Sequence, residues 1–201
     1  MHLVPALLSL GAFAALVLVS KPPAGKSPDM TDVKTAAPGV QVDMRYATAE
    51  NFFRQKFYSD PRALLRPATA TKLAAAQAEF AQRNLSLKIW DAFRPLRVQR
   101  EMWKVKPDSN YVANPARGSR HNRGAAVDIT LVDKDGKELD MGTGFDDFSP
   151  KAHLDALGLS ETVKKNRALL REVMERNGFK PLQTEWWHFD DADWEKYGIV
   201  E

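Results

Sequence analysis

Alternating apolar and polar positions predict several β-strands along the chain. Residues 40–46 place an apolar side chain at every second position, which is typical of a strand with one buried face. Residues 85–90 and 125–132 are mostly apolar and indicate two further strands. The segment 183–189 contains two tryptophans and a phenylalanine, and large aromatic side chains fit the pleated surface of a strand.

Helical spacing of apolar residues predicts helices between these strands. Residues 67–83 are rich in alanine, with larger apolar residues three and four positions apart. Pro95 suits the first position of another helix, where its missing N–H costs nothing. Ser160 can cap a further helix that ends before Gly178. Because the elements do not follow the regular spacing of βαβ units, the sequence predicts a single α+β domain, with a central, mainly antiparallel sheet flanked by helices.

The N-terminal segment differs from the rest of the chain. Residues 3–20 contain no charged residue and no histidine, so we interpret residues 1–20 as a signal peptide or an N-terminal anchor. Residues 21–39 are rich in proline and glycine and are predicted to be a linker, with the folded domain spanning residues 40–201. We expect the protein to be periplasmic or otherwise exported. Any contact with a membrane is expected only through the N-terminal segment, if it is not cleaved.

Composition excludes several kinds of site. The chain has 201 residues, and 29 Lys and Arg against 26 Asp and Glu give a net charge of +3. A balance this even gives no reason to expect a nucleic-acid partner. The absence of cysteine rules out disulfides, thiolate metal sites and cysteine nucleophiles. Any metal site must therefore use carboxylates and the four histidines, which are His2, His121, His153 and His188.

Two stretches carry the candidate metal ligands. Asp128 lies within an apolar strand, and His121 precedes that strand by a short loop. A buried carboxylate needs a partner or a metal ion, although a polar strand position beside a surface histidine would give the same pattern. His188 lies in the final strand, and with the other two residues it would complete the three-ligand set of a catalytic zinc site at one edge of the sheet. His153 is expected on a helix surface.

Two further residues could carry chemistry beside such a metal. Glu185 is the candidate general base, because it lies three positions before His188. In a regular strand the two side chains would face opposite sides, so this role requires a bulge or a turn. A solvated carboxylate at the strand end is the alternative. Arg94 lies where a strand passes into a helix and could stabilise an oxyanion, or it could be an ordinary surface arginine.

Five motifs in this order resemble the VanX-type D-alanyl-D-alanine dipeptidases, in the zinc D,D-peptidase family that also includes VanY-type carboxypeptidases. The resemblance covers the whole predicted domain. The motifs are RYATAENF (45–52), WDAFRPLRV (90–98), SRHNRGAAVD (119–128), MGTGFDDF (141–148) and EWWHF (185–189).

The resemblance implies an α+β fold and one zinc ion per chain, held by His121, Asp128 and His188. It implies that Glu185 is the catalytic base and that Arg94 stabilises the tetrahedral transition state. Hydrolysis of the D-Ala-D-Ala dipeptide in cell-wall precursor turnover or glycopeptide resistance is therefore the expected function. The alternatives are a D,D- or L,D-carboxypeptidase that trims stem peptides, and a non-catalytic zinc-containing module that binds wall peptides.

The resemblance also implies how a small D,D-dipeptide would be recognised. Asp146 corresponds to the carboxylate that receives the substrate's free ammonium, and Ser119 and Tyr46 match residues near its C-terminal carboxylate. The segment between Trp103 and Tyr111 is shorter than is common in the dipeptidases, and less cover could loosen the preference for dipeptides. The oligomeric state stays open.

Overall fold

The computed structural model describes residues 29–201. The predicted signal or anchor segment and residues 21–28 of the predicted linker lie outside the described residues. Within residues 29–201, no helix is both long enough and apolar enough to cross a membrane.

Short strands and four α-helices make up the regular structure of residues 29–201. The strands are β1 (Thr31–Asp32), β2 (Gln41–Val42), β3 (Leu64–Leu65), β4 (Ser86–Asp91), β5 (Ala126–Val132), β6 (Phe179–Leu182) and β7 (Glu185–Asp191). The helices are α1 (Val33–Ala36), α2 (Pro67–Ala81), α3 (Leu96–Val105) and α4 (Glu161–Arg176).

Five strands form the central sheet in the order β2-β4-β5-β7-β6. Only the β2–β4 pair is parallel, and the other three pairs are antiparallel. This confirms the predicted α+β class with a mainly antiparallel sheet. All seven residues of β5 are buried, because β5 is the middle strand and both of its faces are covered. Successive side chains of a strand point to opposite faces of the sheet. Val127, Ile129 and Leu131 therefore share the core face, and the polar Asp128 and Thr130 lie on the other face, where they are also buried.

The helices begin and end as local sequence favours. Ser160 caps α4 through its hydroxyl oxygen, which accepts from the Val163 amide at 3.2 Å, and Gly178 follows the helix end with φ +84°. Pro67 is the first residue of α2. The apolar face of α2 packs against the sheet and α4, with Leu73 and Phe80 fully buried.

Two predictions about the start of the domain are wrong. The strand predicted for residues 40–46 covers only β2, because the backbone turns into a 3-10 helix at Arg45–Ala47. The linker predicted to end at residue 39 already joins the fold at β1. Val33 is fully buried, and its amide donates to the Ala63 carbonyl at 2.9 Å. Burial of apolar side chains therefore overrides the local proline and glycine content from Thr31 onward.

Candidate active site

Three buried side chains converge where β5 and β7 pair. Asp128 on β5 lies directly opposite His188 on β7. His121 lies on a 3-10 helix, His121–Arg123, that ends at Gly124 with φ +68°, a left-handed conformation that suits glycine. This tight turn brings His121 back over the start of β5. The site therefore lies where two inner strands of the central sheet pair.

The separations of the three donor atoms fit a bound metal ion. His121 Nε2 lies 3.3 Å from His188 Nδ1 and 3.4 Å from Asp128 Oδ1, and the last two atoms are 2.9 Å apart. Ligand atoms at about 2.0–2.1 Å from a tetrahedral Zn²⁺ would be about 3.3 Å from one another. Two imidazoles and one carboxylate, each less than a tenth exposed, are the donor set of a catalytic zinc site with one open position.

Hydrogen bonds on the far side of each ring orient the two histidines. His121 Nδ1 lies 2.7 Å from the Ala92 carbonyl oxygen, so the Nδ1–H donates to it and Nε2 is left with a free lone pair. His188 Nε2 lies 2.9 Å from Asp190 Oδ1, which assigns the proton to Nε2 and leaves Nδ1 for the metal. Such outer partners fix the tautomer and strengthen the ligand.

Glu185 lies on the same side of the sheet as His188, because the β6–β7 pairing is irregular. Phe189 pairs with Pro181, whereas Leu182, the next residue of β6, pairs with Glu185. The extra residues on β7 form the bulge that the sequence requires, and Glu185 Oε2 comes to 4.0 Å from His188 Nδ1. Burial raises the pKa of Glu185, and the nearby Asp128 carboxylate adds to that shift. A raised pKa suits a general base that works near neutral pH.

Arg94 is held rigidly beside the metal ligands. Its Nε and Nη2 donate to Asp91 Oδ2 at 3.1 and 2.6 Å, and its Nη1 donates to Gln99 Oε1 at 2.9 Å. Tyr58 donates to the other oxygen of Asp91 at 2.6 Å, and both Asp91 and Tyr58 are buried. A guanidinium has five N–H donors, so two of them are left for a substrate after these three bonds.

Asp146 lines the same cavity as the metal ligands. Tyr46 Oη lies 3.0 Å from each carboxylate oxygen of Asp146, and it donates to the pair. Asp146 adopts φ +58°, an unusual conformation for a residue other than glycine that is characteristic of functional positions. Burial raises the pKa of Asp146 to about 7, and Asp128 contributes to the rise. A cation placed against this carboxylate would therefore stabilise its ionised form, which burial disfavours.

All the site residues named in the sequence analysis line one cavity of about 140 Å³. They are Tyr46, Arg94, Ser119, His121, Asp128, Asp146, Glu185 and His188. Cavities for drug-sized ligands measure about 300–1,000 Å³, so this one suits a smaller molecule. Polar groups of both charge signs line its walls, which favours a small zwitterion over an apolar ligand.

Comparison with known proteins decides the family. The peptidase family described as D-Ala-D-Ala dipeptidase matches residues 26–198. The chain belongs to this family. The D-alanyl-D-alanine dipeptidase of Escherichia coli K12 is 35% identical to this D-Ala-D-Ala dipeptidase family member over 162 residues, covering 81% of this chain and 84% of that protein. The enzyme of the same name from Enterococcus faecalis is 33% identical over 176 residues, covering 77% of this chain and 87% of that protein.

Solved structures of a more distant protein also match part of the chain. VanYB in complex with D-alanine-D-alanine is 18% identical, with a TM-score of 0.42, and the match covers 67% of this chain and 75% of that chain.

The structure also places three other residues named in the sequence analysis of this D-Ala-D-Ala dipeptidase family member. The resemblance predicts the Tyr46 hydroxyl near the substrate carboxylate, and in the structure that hydroxyl donates to Asp146. The Ser119 hydroxyl oxygen accepts from the Asn122 amide at 3.3 Å while the residue lines the cavity. His153 ends the 3-10 helix Pro150–Ala152 and does not belong to the metal-ligand group found within residues 29–201.

Sequence reasoning missed three supporting residues. Asp91 anchors Arg94, and Asp190 orients His188. The third is Asn122, which is fully buried and donates from its side-chain amide to the Arg94 carbonyl at 2.8 Å. This hydrogen bond connects the 3-10 helix that carries His121 to the backbone of Arg94. Asp91 lies within the motif of residues 90–98, and Asp190 directly follows the motif of residues 185–189. A buried acid beside a candidate functional residue is the signal that could have identified them.

Zinc binding should be coupled to release of a proton from His188. Burial lowers the pKa of His188, but its hydrogen bonds with Asp128 and Asp190 outweigh burial and raise that pKa well above its ordinary value. A ligating nitrogen must be unprotonated, so we expect zinc affinity to weaken about tenfold per unit as the pH falls below that raised pKa. Chelator competition between about pH 6 and pH 8 measures the slope.

The same linkage predicts the stability of the two forms. In the metal-free protein, the stabilisation from protonated His188 is fully present below the unfolded pKa of about 6.5 and is lost as the pH rises through the raised pKa. The difference in Tm between zinc-loaded and metal-free protein should therefore widen as the pH rises. Zinc affinity that is independent of pH over this range would contradict a site that contains His188.

Proposed function

We propose that this protein is a zinc-dependent dipeptidase that hydrolyses D-Ala-D-Ala. One observation carries the proposal: three metal-ligating side chains, a buried glutamate and a buried aspartate line the same small cavity. Family membership and relatives named D-alanyl-D-alanine dipeptidase support the substrate. Turnover of cell-wall precursors and resistance to glycopeptides that bind this terminus are the two roles that such an activity would serve.

His121, Asp128 and His188 would hold the zinc ion, and when bound it would lower the pKa of a water molecule to about 7 and polarise a carbonyl group. Glu185 takes a proton from the attacking water and delivers it to the leaving amine. The two free N–H groups of Arg94 stabilise the oxyanion of the tetrahedral state, and they need no reorganisation because Asp91 and Gln99 already hold the guanidinium.

The two ends of the cavity select a molecule of two residues. Asp146 receives the substrate ammonium, and the Tyr46 hydroxyl orients the Asp146 carboxylate. Ser119, which lines the same cavity, is assigned to the substrate carboxylate. A peptide with an interior bond in place of the ammonium would leave the buried Asp146 without a cationic partner, at a cost of about 1–3 kcal/mol.

The substrate assignment is tested with the four stereoisomers of Ala-Ala. We expect the zinc-loaded protein to hydrolyse the D,D isomer at least about tenfold faster than the L,L isomer, and to hydrolyse the dipeptide faster than a pentapeptide that ends in D-Ala-D-Ala. Released alanine is measured by chromatography. A zinc-loaded protein that cleaves the pentapeptide and not the dipeptide would favour the carboxypeptidase alternative, and one that binds zinc but cleaves neither would refute the proposal.

We further propose that the protein is exported. The charge-free apolar run of residues 3–20 supports this proposal. A fusion of residues 1–28 to a reporter that is active only outside the cytoplasm tests it, with a matched fusion in which two central leucines of the run are changed to arginine. Equal reporter activity from both fusions would contradict export.

A further inference from the structure

Asp146 lies in a segment that its own backbone does not hold in place. Residues 141–153, here called the Asp146 loop, connect the neighbourhood of β5 to the region before α4. The amides of residues 140–149 donate no backbone–backbone hydrogen bond within the part of the chain that the structure describes. Asp146 nevertheless keeps a left-handed φ of +58°. A conformation of this kind persists only where the surroundings enforce it.

A buried arginine of α4 supplies that constraint. The Arg167 guanidinium donates to three backbone carbonyls of the loop: to Met141 at 2.7 Å, to Lys151 at 2.9 Å and to His153 at 3.1 Å. Arg167 is only 7% exposed, and all the hydrogen bonds it makes among residues 29–201 go to these carbonyls. One guanidinium thus binds the loop on both sides of Asp146, because the Met141 and Lys151 carbonyls lie five residues before and five residues after it.

The same arginine connects the loop to the strand that carries Glu185. Its guanidinium lies 5.5 Å from the ring centroid of Trp186, within the range of a cation–π interaction. Trp186 Nε1 donates to the Thr143 hydroxyl of the loop at 2.7 Å. Trp186 directly follows Glu185 in β7. Arg167 therefore sets the position of the loop relative to the general base, although it lines neither the catalytic cavity nor the metal site.

We propose that Arg167 is a positioning residue that determines the specificity of the site for a free substrate ammonium, by holding the Asp146 loop against β7. The inference rests on the proposed dipeptidase function. Arg167 affects kcat/KM by way of Asp146, because its guanidinium contacts the loop on both sides of that residue. A buried arginine that merely stabilised the fold would affect Asp146-dependent and Asp146-independent steps alike.

The test is a double-mutant cycle on D-Ala-D-Ala hydrolysis. Arg167→Lys keeps the charge and the aliphatic stem but loses the fork. In the wild-type background we expect kcat/KM to fall about tenfold or more, chiefly through KM. In an Asp146→Asn background the same change should cost less than about threefold, since the contact it positions is already lost. Arg171→Lys, one turn along α4, is the matched control and should leave both backgrounds unchanged.

A second readout does not depend on activity. Hydrogen exchange of the two loop amides that are bonded to backbone carbonyls, those of Ala152 and His153, should become about tenfold faster in Arg167→Lys, while exchange in β5 and the zinc content stay at wild-type values. Thr143→Val removes the other side-chain anchor of the loop and should give the same selective pattern. Equal losses in both Asp146 backgrounds, or unchanged loop exchange, would overturn the inference. A wild-type protein that does not cleave the dipeptide would refute the proposed function instead, and the exchange measurement would still report on Arg167.

Discussion

Replacing Glu185 by glutamine should reduce kcat/KM for D-Ala-D-Ala by about 10²- to 10⁴-fold and leave one zinc ion bound per chain. Glutamine keeps the shape and the hydrogen-bonding capacity of the side chain, but it cannot accept a proton from water. Zinc retention is expected because Glu185 Oε2 lies 4.0 Å from His188 Nδ1, outside the group of three close donors. Steady-state kinetics and metal analysis of the same preparation measure both quantities.

Comparison with an exposed glutamate separates this effect from a general change in charge. Glu172 lies on the solvent side of α4, so Glu172→Gln should leave activity and zinc content unchanged. A Glu185→Gln protein that keeps more than about a tenth of wild-type activity would assign the base to another group. Loss of zinc from this variant would instead make Glu185 part of the metal site, and it would remove the argument for a separate proton acceptor.

The pH dependence of kcat should report the same carboxylate. Burial raises the pKa of Glu185, so the base is unprotonated only above that raised value, and the rate should decline as the pH falls through it. The glutamine variant has no group that titrates there and should lose this limb of the profile.

The residues around the metal show why the chemistry of this site could be predicted from sequence. Asp128 was identified because a carboxylate interrupts an apolar strand, and the β5–β7 register places it directly across from His188. The bulge before His188 was required by the two roles assigned to β7, and the irregular pairing with β6 supplies it. Strand alternation and ligand chemistry are local properties, and both can be read along a single segment.

The contacts between distant segments could not be predicted in this way. The Tyr46 hydroxyl donates to Asp146, which is one hundred residues away in sequence, and no local pattern indicates this contact. Arg167 gave no signal at all, because the carbonyls it binds carry no sequence information. The folded domain also begins earlier than residue 40, since Val33 is buried by residues far along the chain. Tertiary packing decides each of these features, and it overrides local composition.

Replacing Asp146 by asparagine should reduce kcat/KM for D-Ala-D-Ala by about 10²- to 10³-fold, since removal of one partner from a buried charge pair costs about 2–5 kcal/mol. Asparagine tolerates the left-handed φ of +58°, keeps the side-chain shape and can still bond to Tyr46. The loss should therefore come from the missing charge rather than from a displaced loop. Hydrolysis of a pentapeptide, which presents no ammonium at this position, should change less than about threefold.

The neighbouring Asp147 provides the control, because Asp147→Asn makes the same chemical change within the loop and retains an acceptor for the Ser149 amide. This variant should behave as wild type on both substrates.

Asp146 ionises at a pKa of about 7, raised by burial and then by Asp128, and only the carboxylate form attracts an ammonium group. KM for the dipeptide should therefore fall as the pH rises toward about 7. Zinc bound to Asp128 offsets one cause of the raised pKa of Asp146, so in the zinc-loaded enzyme KM should change at a pH of about 7 or below. This change of KM with pH should be missing in Asp146→Asn. Equal losses on the dipeptide and on the pentapeptide would mean that Asp146 supports the fold of the site and does not recognise the substrate ammonium.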